Sequence, residues 1–176
     1  MGSTSSTSFF VAGCESPLGR IAMASDGSHL VGLWFDDGQH PVGIATALSC
    51  PDMEVLRLTC SWLELFFAGQ VPDFFPPIGL RGSPFRQRVY QQVLAIPYGS
   101  MCSYGEVAAR LNRQPGFSAT SARAVGNAVA HNPILLIVPC HRVVGTRGAL
   151  TGYAAGVDRK AALLDMERRV SSRTYG

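Results

Sequence analysis

No apolar run in this sequence approaches the roughly 18 residues of a membrane-spanning helix, so the chain reads as soluble. Nothing near the N-terminus has the order of a secretory signal. The five cysteines, Cys14, Cys50, Cys60, Cys102 and Cys140, are odd in number and none forms a C-x-x-C pair. This argues against a disulfide scaffold and for a reducing compartment. Lysine is nearly absent, with 14 of the 15 basic residues being arginine, whose planar fork suits bidentate phosphate contacts. Acidic residues are scarce in the second half. Residues 1–83 carry 3 basic and 8 acidic side chains, a net of −5, and residues 84–176 carry 12 and 4, a net of +8. The basic half is the natural seat for a polyanion such as nucleic acid.

What is present suits one domain or two small ones: 176 residues at 47% hydrophobic content are enough for a real core. Residues 1–8 are a polar Ser/Thr tail expected to be disordered. Residues 9–70 read as an N-terminal α/β domain. Ile21 to Ala24 and His29 to Phe35 are strand-like and flank the turn signal Asp26-Gly27, and Asp36-Asp37-Gly38 closes the second. From Met53 to Ala68 the apolar residues fall at helical spacing until Gly69 stops them. Residues 71–82, with Pro72, Pro76 and Pro77, read as a linker. Residues 83–170 form the expected C-terminal domain, and residues 171–176 a tail. The fold class is α+β: a small antiparallel sheet with a helix, then a mostly helical domain with a helix-turn-helix and a short active-site strand.

In that second domain Ser83-Pro84 opens a helix, and Ser103-Tyr104-Gly105-Glu106 is a capping box for another that runs to about Asn112. After a glycine-containing loop, 113–118, a helix is expected over 119–130, stopping before Asn132-Pro133. The pair reads as helix-turn-helix. The second helix carries Ala119, Ala122, Ala124, Gly126, Ala128 and Ala130 around a single cation, Arg123. Small side chains let a backbone approach a narrow surface such as a DNA minor groove, with one long cation projecting.

The stretch Ile137 to Val144, I-V-P-C-H-R-V-V, organises the rest. An apolar run ahead of Pro139 suits a short buried strand that holds Cys140 rigidly at a pocket edge. A thiol attacks as thiolate, and His141 and Arg142 are groups that lower a thiol pKa. Neighbours on an extended segment face opposite ways, so His141 needs a turn or a bridging water to reach the sulfur. A helix-turn-helix joined to a nucleophilic cysteine makes sense if chemistry is done on a base. That base must leave the duplex, and Arg123 is placed to fill the gap.

P-C-H-R-V-V followed by T-G-Y and R-K-x-x-L-L-x-x-E resembles the O6-alkylguanine-DNA alkyltransferases, with agreement strong from Pro84 to Glu167 and weaker in S-P-L-G, L-W-F and F-F-A-G. The resemblance implies DNA repair by single-turnover transfer of an alkyl group from guanine O6 to Cys140, with double-stranded DNA as partner, bound through its minor groove. It implies Arg123 as the finger and Tyr104 as the residue that pushes the 3′ phosphate, with Ser121 and Ala122 beside them on the DNA. Asn132 is implied as the hinge, His141 as a base acting through water, and Glu167 as the carboxylate that orients it. Tyr153, with Val143 and Ala154, is implied to line the guanine pocket. The helix after Pro84 departs from the family, with Phe85-Arg86-Gln87-Arg88-Val89-Tyr90 where a glutamine after the phenylalanine and a tryptophan near the end are common. This alters core detail and leaves the chemistry as it is.

No cofactor is expected, and the chain reads as a monomer that binds no membrane. Some relatives carry an N-terminal zinc. His29, His40, Cys14, Cys50 and Cys60 lack finger-like spacing, however, so no metal is expected. Lesion-marking relatives lack the acceptor cysteine, which is present here. A Cys-His hydrolase would need an oxyanion hole that nothing in the sequence indicates.

Overall fold

The computed structural model of the chain describes residues 9–37, 47–116 and 119–174. They divide into two compact units, the described residues within 1–68 and 72–79, and those within 69–71 and 80–176. Gly38 and His40 lie outside the described residues, as do the N-terminal tail and Phe117-Ser118 of the inter-helix loop.

In the first unit β1 (Phe10–Cys14), β2 (Ile21–Ser25) and β3 (Leu30–Phe35) form an antiparallel meander, and the two-residue β4 (Leu48–Ser49) joins β1 in parallel. The Asp26-Gly27 turn forms because Asp26 Oδ1 accepts the N–H groups of Ser28 at 3.2 Å and His29 at 2.9 Å, while Gly27 takes a φ of 102°. Helix α1 (Glu54–Phe67) packs on β2 and β3, and Leu56, Leu63 and Phe66 of the helix and Met23, Leu30 and Leu33 of the sheet are all buried. Full burial of such a side chain contributes about 1.5–3 kcal/mol each. The proline-rich segment supplies one extra rung: Leu30 N–H donates to Pro77 O at 2.7 Å, and Gly79 N–H to Leu30 O at 2.8 Å.

The second unit holds α2 (Pro84–Leu94), β5 (Cys102–Ser103), α3 (Tyr104–Asn112), α4 (Ala122–Ala130), β6 (Val143–Val144) and α5 (Val157–Thr174). Ser83 caps α2 by accepting Arg86 N–H, and the capping box of α3 closes in both directions. Helix α4 begins three residues later than its composition suggests. Asn112 clamps Thr120 through bonds of 3.0 and 2.7 Å, and the Ser121 hydroxyl accepts Ala124 N–H, which fixes Ser121 as the cap.

The approach to Cys140 differs from expectation. Residues 134–138 are a chain of tight turns rather than a strand: Val138 N–H bonds Ile134 O, Ile137 N–H bonds Leu135 O, and Leu136 has a φ of 68°. Cys140–Arg142 make a single 3₁₀ turn, and the strand, β6, follows it. The apolar run is apolar because every residue from Ile134 to Val138 is buried core. β6 pairs in parallel with β5, so the residues after the cysteine are tied directly to the start of α3.

Candidate active site and nucleic-acid face

Cys140 is 2% exposed at the head of its 3₁₀ turn. Asn132, just past the end of α4, donates from Nδ2 to Cys140 Sγ at 3.1 Å and to Val138 O at 2.9 Å, and accepts Ile134 N–H at 3.0 Å. Its carboxamide is held at three points, so the N–H aimed at sulfur is preorganised. The backbone N–H groups of Cys140 and His141 also pull the thiol pKa down. Burial nevertheless dominates and pushes the thiol up to about 11, against the pull of Asn132 and of Lys160. The resting sulfur is a protonated thiol, which becomes a nucleophile only where a base takes its proton.

The turn places His141 on a buried carboxylate, with Nε2 2.9 Å from Glu167 Oε1. Glu167 also accepts Arg142 through Nε at 3.1 and 3.0 Å and NH2 at 2.9 Å, and Gly99 N–H at 3.0 Å. Burial pushes the Glu167 carboxyl up, but the bonds from His141 and Arg142 outweigh it and hold the group below its ordinary range. An ionised carboxylate only accepts, so the proton on Nε2 belongs to histidine and Nδ1 is left basic. Burial lowers the His141 pKa, against the raising effect of Glu167, and keeps the ring neutral.

Arg142 is therefore not the cation that tunes the sulfur. Its guanidinium is committed to Glu167 and, through NH1, to Ile96 O at 2.7 Å. The cation acting on Cys140 is Lys160, the single lysine of the chain, which is fully buried on α5. It donates to Val143 O at 2.6 Å, Thr151 O at 2.8 Å and Gly152 O at 3.4 Å, and so ties the loop before Tyr153 to β6. The Tyr153 ring meets His141 edge-on, with centroids 6.4 Å apart. Its hydroxyl is buried without a hydrogen-bond partner among the described residues, and burial raises its pKa well above the ordinary value. A buried O–H of this kind suits a polar ligand that enters the pocket.

On the outer side of the unit, a cleft of about 810 Å³ lies between the starts of α3 and α4 and the Thr146–Gly148 turn, lined by Tyr104, Ala122, Arg123, Arg147 and Thr151 among others. Two guanidinium-bearing residues on one concave face favour phosphate.

The family model described as "6-O-methylguanine DNA methyltransferase, DNA binding domain" matches residues 84–169. The chain is 42% identical over 155 residues to the methylated-DNA–protein-cysteine methyltransferase of Mycobacterium tuberculosis, covering 88% of this chain and 89% of that protein. It is 37% identical over 153 residues to the protein of the same name from Methanosarcina acetivorans, covering 87% and 94%. This chain belongs to the methylated-DNA–protein-cysteine methyltransferases. The crystal structure of M. tuberculosis O6-methylguanine methyltransferase matches it with a TM-score of 0.80 at 39% identity, over 92% of this chain and 93% of that one. A structure of the M. tuberculosis protein in complex with DNA matches equally well, with a TM-score of 0.80 at 38% identity, over 92% and 94%.

Within this methyltransferase fold Cys140, His141, Glu167, Asn132 and Tyr153 come together around the sulfur or the imidazole. Val143 is buried in β6 and offers its carbonyl to Lys160, while Ala154 is exposed. Ser121, Ala122 and Arg123 are exposed at the start of α4, whose other face buries Val125, Ala128 and Val129. Tyr104 is differently engaged from a residue reserved for phosphate, since its hydroxyl donates to Thr151 O at 3.2 Å. Sequence reasoning missed Lys160. Its signal was its being the one lysine among fourteen arginines, and it stood unremarked within R-K-x-x-L-L.

Of the metal candidates, Cys14 and Cys60 come within hydrogen-bonding reach of each other, and His29 lies 3.8 Å from Asp26. Among the described residues no group of three metal-ligating side chains forms.

Proposed function

We infer that this chain repairs alkylated DNA by taking the alkyl group from guanine O6 onto Cys140, once per molecule. The observation that carries the reading is the relay Cys140, His141, Glu167 with Asn132 3.1 Å from the sulfur, in a chain of this family. With the thiol near 11, almost no thiolate exists at neutral pH, so deprotonation and attack are coupled. His141 Nδ1 takes the thiol proton through a bridging water, and Glu167 stabilises the imidazolium that results. The sulfur then displaces guanine from the alkyl carbon: the S–C bond forms as the C–O6 bond breaks. The bonding pair leaves on guanine, where Tyr153 O–H donates to the developing charge. A thioether does not hydrolyse, so the protein is consumed.

DNA is the macromolecule acted on. In this reading α4 enters the minor groove along its small-residue face, with Ser121 and Ala122 against the backbone and Arg123 filling the space of the extruded nucleotide. Tyr104 rotates its hydroxyl from Thr151 O toward the 3′ phosphate as the nucleotide turns. Asn132 serves as the hinge between docking helix and acceptor.

The test is intact mass and peptide mapping after mixing with a duplex carrying one O6-methylguanine, with Cys140→Ser in parallel. The expected result is one added methylene, on Cys140, stopping at one equivalent and absent in the variant. Tight binding without a mass gain would overturn the transfer reading.

A further inference from the structure

The last carbonyls of a helix lack partners within it, and each must find one elsewhere. At the end of α4 the partners are specific. Asn132 N–H takes Val129 O at 3.1 Å, and the His131 ring nitrogen Nδ1 takes Asn127 O at 2.7 Å. Ala128 O takes the His131 N–H at 3.1 Å, and a further donor comes from another helix. Tyr90, on α2 and 1% exposed, donates its hydroxyl to His131 O at 2.9 Å, shared with Ala128 O at 3.3 Å.

The carbonyl of His131 belongs to the same peptide group as the N–H of Asn132. A donor on that oxygen fixes the peptide plane from which the Asn132 side chain departs. With its backbone N–H on Val129 O and its carboxamide held by Val138, Ile134 and Cys140, Asn132 is immobilised on both sides. The α2 helix thereby reaches the sulfur in four steps: Tyr90 hydroxyl, His131 carbonyl, Asn132 carboxamide, Cys140 Sγ. A phenylalanine at this position would fill the same space and hold nothing.

We propose that Tyr90 is a positioning residue for alkyl transfer: its hydroxyl locks the peptide between His131 and Asn132, so that the Asn132 N–H stays aimed at Cys140. This rests on the reading of Cys140 as acceptor and Asn132 as its donor.

The test compares the wild type with Tyr90→Phe, Asn132→Ala and the double variant. Cys140 is alkylated with iodoacetamide across a pH series and read by peptide mass, and transfer from free O6-benzylguanine is followed in parallel. Tyr90→Phe keeps the ring and its packing, and thermal melting reports any loss of stability separately. The expected result is an upward shift in the pH midpoint of Cys140 alkylation, because a misaimed donor stabilises the thiolate less. At a fixed pH below the midpoint this reads as a roughly threefold to tenfold slower reaction, and the second substitution adds little in the Asn132→Ala background. A pH profile unchanged in Tyr90→Phe but shifted in Asn132→Ala overturns the role of Tyr90 alone. Profiles unchanged in both overturn the role of Asn132 with it. Equal fold-losses from Tyr90→Phe in both backgrounds mean that Tyr90 acts on stability, and the proposal falls.

Discussion

Lys160 and Tyr104 donate to the same acceptor, the carbonyl of Thr151, and the ammonium lies 5.8 Å from the centre of the tyrosine ring. One side chain comes from α5 beneath the acceptor cysteine, the other from the α3 face of the outer cleft. The Thr151-Gly152 peptide is their meeting point, and Tyr153 follows it directly. Lys160→Met keeps the stem volume and removes the donor from the buried Val143 carbonyl, at about 1–3 kcal/mol, while Thr151 O keeps the Tyr104 hydroxyl. It also removes the cation that pulls the Cys140 pKa down. The expected outcome is a lower melting temperature together with slower transfer from both O6-benzylguanine and duplex substrate, measured by single-turnover kinetics. Transfer at the wild-type rate would mean that the lysine serves stability alone.

Glu167 joins two jobs that a sequence reading separates. It orients His141, and it neutralises the buried Arg142 guanidinium through three contacts of 2.9–3.1 Å. Glu167→Gln keeps the shape and deletes the charge, stranding a buried cation at about 3–5 kcal/mol. Transfer should slow by about a hundredfold, the lower end of what a lost general-base arrangement gives. DNA affinity, measured by fluorescence anisotropy below the melting temperature, should stay within about threefold of wild type, because the α4 face is untouched. A normal transfer rate would remove Glu167 from the relay.

The pH dependence has a definite sign. In the proposed relay, attack requires neutral His141, whose folded pKa lies below 6.5 because burial disfavours the imidazolium. Transfer from O6-benzylguanine should therefore hold steady from neutrality down to about pH 6.5 and fall only below it. Stability follows the same direction. A histidine kept neutral in the fold takes up its proton more readily when unfolded, so stability is lost as pH drops below 6.5. Glu167, held below 4.5, adds a further loss as pH falls through its own folded value. Rates read alongside melting curves across this range check both limbs, and an acid midpoint above 6.5 would contradict the assignment.

Much of this was legible in the sequence, because local chemistry determined it. Ser83-Pro84, the Ser103–Glu106 capping box and the Asp26-Gly27 turn all act within a few residues of themselves, and each forms. What the sequence concealed depends on contacts between distant segments. Nothing near Leu136 announces that an apolar run is wound into turns, since burial alone makes a strand and a packed turn look alike. Arg142, the cation beside the thiol in the chain, is drawn to Glu167, and the cation that acts on the thiol is Lys160, twenty positions away. The thiol itself was expected to be low and is high. A motif shows which groups are neighbours in the chain, and it does not show how completely water is excluded from them.

The role proposed for Arg123 would separate two reactions that share one acceptor. Free O6-benzylguanine needs only the pocket around Cys140 and Tyr153, whereas a base in a duplex must first be extruded. Arg123 is exposed at the first turn of α4, on the wall of the outer cleft, and the thiol lies in the buried 3₁₀ turn beyond it. Arg123→Ala should therefore slow duplex repair by about tenfold or more, on the scale of a few kcal/mol for an unstacked base left without support. Reaction with the free base should change by less than about twofold, since surface substitutions away from the chemistry are close to neutral. Parallel single-turnover assays on the two substrates give the ratio. Equal losses on both would place Arg123 in general stability rather than in extrusion, and the docking face would then have to be sought elsewhere in the cleft, with Arg147 next to be tested.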